Sequence, residues 1–171
     1  MIEKITAKMI AYLDGNRHDV AHFLKVFAYA QAIGLLEELD KKTQFTLETA
    51  AIVHDIACPF CRKKYCSAAG HLQEQESEAL LRPFLAEFDL PEDIRERVIF
   101  LICHHHTYTN IDGADYQILL EADFLVNADE SNADTETIRN FREKVFRTKM
   151  KCSPIRGQVI SYTVHLPHSM L

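Results

Sequence analysis

Residues 47–57, LETAAIVHDIA, constrain this chain most: an apolar helical run stops abruptly at a histidine and an aspartate side by side. Leu47, Ala50, Ala51 and His54 fall at i, i+3, i+4 and i+7, so the imidazole lies on the face the helix must bury, with Asp55 next to it. An ionised carboxylate is costly to bury unless a cation or strong donors compensate. A metal ion is one answer. A helix end at which His54 caps carbonyls and Asp55 faces water is the other, and this stretch alone leaves both open.

The rest of the chain reads as helix. Apolar residues make up 47% of the 171, with only five glycines and five prolines, which argues for one compact helical domain and against disorder or a turn-laden β-sandwich. Ile2, Ile5, Met9, Tyr12 and Leu13 mark a short packing helix, and a longer one follows the Asp14-Gly15-Asn16 turn. Residues 40–46 read as a polar connection, with Thr46 as N-cap of the His54 helix. Periodicity stops after Asp55, so residues 58–70 are expected to form a loop against that corner. A helix kinked before Pro83 comes next. Another is opened by Asp89 as cap, with Pro91 and Glu92 in its first turn. A segment around Leu119–Val126 and an amphipathic helix from Asp134 to Met150, built on Ile138, Phe141, Val145 and Phe146, complete the pattern. The expectation is an all-α domain of about six to seven helices over residues 1–150, followed by an atypical tail, 151–171, that alternates as a strand would.

Charge and cysteine content narrow the partners. Nineteen basic against twenty-five acidic residues leave a formal charge of −6 with no long basic run, which disfavours a duplex nucleic-acid binder. No window approaches eighteen consecutive apolar residues, and the amphipathic N-terminus has no signal-peptide core, so no membrane partner and a cytoplasmic location are expected. Five cysteines, an odd number, read as reduced thiols.

Polar residues on apolar faces carry the chemistry. His22 shares its face with Val26, Tyr29 and Ile33, and Lys25 could reach the same place from one turn further on. Ile94, Val98, Leu101, Ile102 and His105 cluster on one side of their helix, with His104 at the edge and His106 pointing elsewhere. Asp123 has Leu119 and Leu120 one turn before it and Val126 one turn after, the least expected residue here on structural grounds. Two aspartates do not approach one another in a core without positive charge between them. Two imidazoles and two carboxylates from three helices, His22, His54, Asp55 and Asp123, form a ligand set suited to a divalent manganese, iron, cobalt, nickel, magnesium or zinc ion.

The order and spacing of HDVAHFLKV, AAIVHDIA and ILLEADFLV resemble the His…His-Asp…Asp signature of the HD-domain superfamily of metal-dependent phosphohydrolases, over roughly residues 16–148. KYCSAAGHLQEQE and HHHTYTNIDGADYQILLEADFLVNADE are similar to an uncharacterised bacterial branch of it. The resemblance implies one divalent metal on His22, His54, Asp55 and Asp123, and room for a second involving His71 with His104 or His105. It further implies hydrolysis of a nucleotide or other small phosphorylated substrate by metal-activated water, with Lys25, Arg62 and Lys64 on phosphate oxygens and His104 or His105 as acid. Ala57-Cys58-Pro59 and Glu76-Ser77 depart from the family's glycine-containing patterns.

Three alternatives compete. Some relatives hold two irons and activate oxygen, which here would need His71 and His105 together. Cys58, Cys61, Cys66 and His71 have a zinc-knuckle-like spacing beside basic and aromatic residues suited to single-stranded nucleic acid. A regulatory metal-binding module without turnover is the third.

Overall fold

A computed structural model describes residues 1–149, so the strand-like alternation expected for the tail lies outside the described residues. Within them the chain is all-α, with helices α1 (Ile2–Tyr12), α2 (Arg17–Leu36), α3 (Lys41–Val53), α4 (Cys58–Tyr65), α5 (Gly70–Ala86), α6 (Glu92–Ile102), α7 (Ala114–Glu130) and α8 (Thr135–Lys144). None of these helices is long and apolar enough to cross a membrane.

Helix α3 is the centre of the packing, in contact with α1, α2, α6 and α7. Leu47 and every residue from Ala50 to Val53 are buried, because the two alanines let neighbouring helices approach while the larger side chains fill the spaces between. It begins earlier than its apolar pattern suggests. Asp40, not Thr46, is the N-cap, accepting from the Lys42 and Thr43 amides at 2.9 and 3.1 Å and from the Thr43 hydroxyl at 2.6 Å. Thr46 sits inside the helix and donates to the Lys42 carbonyl at 2.9 Å.

Residues expected to form a loop after Asp55 instead turn directly into α4. Pro59 is tolerated there because the first turn of a helix has no intrahelical use for its missing N–H, and Cys66 ends the helix in the left-handed conformation at φ 55°. Helix α5 continues through Pro83 to Ala86. Helix α6 starts at Glu92 behind Pro91, with no cap bond from Asp89. Helix α8 stops at Lys144, short of the expected Met150, and the chain turns back so that Phe146 is buried against Phe124 and Phe141.

Candidate metal centre

Three elements deliver the expected ligands to one place. His22 comes from the buried side of α2, His54 and Asp55 from the turn between α3 and α4, and Asp123 from the buried side of α7. His22 Nε2 lies 3.2 Å from His54 Nε2, 3.3 Å from Asp123 Oδ1 and 3.5 Å from Asp55 Oδ2. His54 Nε2 is 3.6 Å from both carboxylates.

His54 Nδ1 lies 2.9 Å from the Ala51 carbonyl and His22 Nδ1 2.9 Å from Glu130 Oε2, partners that can only accept, so both rings carry their proton on Nδ1 when neutral. In that neutral form two Nε2 lone pairs and two carboxylates converge with no donor among the four groups, while from outside Asn127 Nδ2 donates to Asp123 Oδ1 at 2.8 Å. Only positive charge makes that arrangement favourable. Metal–ligand bonds of about 2.1 Å place neighbouring ligand atoms about 3.0–3.4 Å apart in octahedral or tetrahedral sites, close to the separations here. The residues fit a divalent ion.

The electrostatics agree. Burial works against charge on His54, but Asp55 and Asp123 outweigh it and raise its pKa to about 9. His22 moves the same way, burial opposing and Asp123 prevailing. Burial would raise the pKa of both aspartates, yet the histidines hold Asp55 and Asp123 below the usual carboxylate range.

A second group adjoins the first. Among the described residues, potential metal-ligating atoms converge as His22–His54–Asp123 and as Asp55–His105–His106. Asp55 stands between the two, its Oδ2 towards His22 and His54 and its Oδ1 3.7 Å from His105 Nε2. His105 Nδ1 donates to the Ile102 carbonyl at 2.6 Å, leaving Nε2 bare, and Nε2 of both His105 and His106 is buried without a hydrogen-bond partner. Desolvation, helped by His105, lowers the pKa of His106 to about 4, keeping that ring neutral.

His106 corrects the helical reading, which pointed it away. Helix α6 ends at Ile102 and the chain turns, with Thr107 N donating to the His104 carbonyl at 2.7 Å, so the 100° steps no longer apply. Glu74 holds the turn by accepting from the His106 amide and the Thr107 hydroxyl, both at 3.0 Å. Gly70 makes room for the ring, since a Cβ there would lie 2.5 Å from His106 Cγ.

The remaining expected residues lie elsewhere. His71 is exposed and joins neither group. His104 also stays out; its Nδ1 donates to the Phe100 carbonyl at 2.7 Å and its ring rests 4.5 Å from that of Phe100. Lys25 pairs with Glu130 at 3.0 Å, Arg62 with Asp19, and Lys64 with Glu76 at 2.9 Å. The cysteine set is not assembled: Cys58 and Cys61 are buried, Cys66 is exposed, and neither ligand group contains a thiol. Burial and the nearby Asp55 carboxylate push the Cys58 thiol up, as expected of an inert core cysteine. Glu130 and His106 escaped the sequence reading. Glu130 stands two turns beyond Asp123, the one signal that could have pointed to it.

No curated protein and no solved structure matches the chain. The family model described as HD domain matches residues 19–161, a span that contains all four clustered ligands and well over half the sequence. The chain belongs to the HD-domain family, within the superfamily of metal-dependent phosphohydrolases.

Proposed function

We propose that this protein hydrolyses a phosphoester or phosphoanhydride bond in a nucleotide or another small phosphorylated compound. The observation that carries the reading is the convergence of two imidazole Nε2 atoms, whose Nδ1 atoms are spent on acceptors outside the cluster, with two carboxylates at 3.2–3.6 Å. His22, His54, Asp55 and Asp123 would hold a divalent ion. Asp55, His105 and His106, rather than His71 and His104, are the residues that favour a second. Such an ion lowers the pKa of bound water, polarises a phosphoryl oxygen and offsets charge on the leaving oxygen.

The chain's own residues would do the rest. Asp55, a quarter exposed where its neighbours are buried, borders the open side and can orient the attacking water. Where no second ion engages it, His105 would serve as acid only as the imidazolium, its Nε2–H beside Asp55 Oδ1 and better placed than His104 to hand a proton to the leaving oxygen. Arg62 and Lys64 stand on α4 directly after that corner and would offer charge to phosphate oxygens in exchange for their present partners, Asp19 and Glu76.

Elemental analysis of protein purified without chelators, followed by a phosphatase panel with the recovered metal, tests the reading. Asp123→Ala should abolish both metal occupancy and turnover; full activity in metal-depleted Asp123→Ala would sink the mechanism. Iron content and colour after purification without oxygen distinguish the oxygen-activating alternative. Metal retention without turnover on the whole panel would favour a regulatory module.

A further inference from the structure

Each of the three buried histidines that turn Nε2 inward needs something to hold Nδ1, and His22 obtains it differently from the others. His54 and His105 donate to carbonyls three residues back, Ala51 and Ile102, at the ends of α3 and α6. Carbonyls in a last helical turn have no amide to accept from, so they are free for this purpose. His22 sits inside α2, which runs from Arg17 to Leu36, where the carbonyls one turn back are committed to the helix itself. Its partner must come from another element.

That partner is the last residue of α7. Glu130 Oε2 lies 2.9 Å from His22 Nδ1, and Glu130 Oε1 accepts from Lys25 Nζ at 3.0 Å. Lys25 is one turn beyond His22 on α2 and also reaches Asp129 at 3.7 Å, while His18 Nε2 lies 3.6 Å from Glu130 Oε2. The Glu130 side chain is only 18% exposed, so water competes weakly for its oxygens. We propose that Glu130 is a positioning residue of the metal centre: it holds His22 as the Nδ1–H tautomer with Nε2 turned to His54, Asp55 and Asp123, and Lys25 clamps its carboxylate in place. This rests on the metal reading above, gives Lys25 a structural task in place of phosphate binding, and makes α7 the source of both a ligand and the group that aims a ligand on α2.

The test pairs a metal readout with one that needs no metal. Zn²⁺ affinity is measured by competition with a chromophoric chelator for wild type, Glu130→Leu, Glu130→Gln and Lys25→Met. The tautomer of the His22 ring is read from its long-range ¹H–¹⁵N pattern in metal-free protein at alkaline pH. Glu130→Leu should bind Zn²⁺ about 10–100-fold more weakly, the range for removing a group that orients a ligand, and its His22 ring should lose the Nδ1–H preference. Glu130→Gln keeps a carbonyl oxygen for Nδ1–H and should recover the tautomer and most of the affinity; Lys25→Met should weaken Zn²⁺ binding with a smaller effect on the tautomer. Wild-type tautomer and affinity in Glu130→Leu overturn the proposal. If Glu130→Leu does not fold, wild-type behaviour of Lys25→Met on both readouts overturns it. A wild type that binds no Zn²⁺, but whose His22 tautomer depends on Glu130, upholds the positioning and overturns the metal reading instead.

Discussion

Glu121, two residues before Asp123 on α7, offers a sharp test of how the segment after α8 is held. It is fully buried, and among the described residues its carboxylate is satisfied by amide and hydroxyl donors. Oε1 accepts from Gln117 Nε2 at 2.7 Å, from Arg147 N at 2.7 Å and from Thr148 N at 3.2 Å, and Oε2 accepts from the Thr148 hydroxyl at 2.6 Å. Glu121→Ala deletes the acceptor and strands two backbone amides, whereas the Gln117 amide and the Thr148 hydroxyl can rotate to other partners. An unsatisfied buried donor costs about 1–3 kcal/mol and a charge-assisted bond contributes about 1.5–3, so the substitution should destabilise by about 3–5 kcal/mol. For a domain of this size that is a fall in Tm on the order of 10 °C. Glu121→Gln keeps a carbonyl oxygen for both amides and turns an NH₂ to a hydroxyl able to accept, so it should lose about 1 kcal/mol. Urea titration with thermal melts by circular dichroism measures both. A Glu121→Ala protein within about 1 kcal/mol of wild type, or a glutamine variant as damaged as the alanine one, would refute this role for Glu121.

In metal-free protein, stability should decline between pH 6.5 and about 9. The raised pKa of His54 contributes stability fully present below 6.5 and lost as pH climbs through 9, about 3 kcal/mol at 1.36 kcal/mol per unit, and saturating Zn²⁺ should abolish the slope; a flat profile with chelator present would contradict this. Gly70→Ala should drive the His106 ring from its place beside Asp55 and His105, and saturation with Zn²⁺ followed by elemental analysis should show loss of any ion held there while the ion on His22, His54 and Asp123 is retained. Arg97→Met should cost about 3 kcal/mol in urea titration. It leaves the buried Asp115 carboxylate without the guanidinium that grips it at 2.7 and 2.9 Å, at the start of α7.

His22, His54 and Asp123 were legible because a polar residue inside a 3.6-residue apolar stripe has to be explained, and all three lie within or at the end of regular helix. Asp55 was found by adjacency, and His105 by a period that happens to persist one turn past the end of α6. His106 was lost because that period fails in the turn. Helix α4 was hidden by its own residues: a proline at the start and Arg62-Lys63-Lys64 at the end leave no apolar stripe, and Cys58 and Cys61 alone supply its buried side. The start of α3 was misplaced because Thr46, followed by Glu48, mimics a capped first turn, while Asp40 makes the actual bonds. For Glu130 the sequence offers only its place two turns beyond Asp123, at the close of the mostly polar Asn127-Ala128-Asp129-Glu130, and its partner arrives only when α2 packs on α7. Tertiary pairing also absorbs Lys25 between α2 and α7, Arg62 between α4 and α2, and Lys64 between α4 and α5.

Helix α7 carries Glu121, Asp123 and Glu130 on one rod, and the first of these grips the chain at residues 147 and 148. A rod of hydrogen-bonded backbone cannot move one of the three without moving the others. Thermodynamic linkage then runs in both directions: whatever free energy an ion gains by finding Asp123 in place is shared with the anchoring of residues 147 and 148. Exchange protection at the Arg147 and Thr148 amides becomes a gauge of occupancy at a centre built from other parts of the chain.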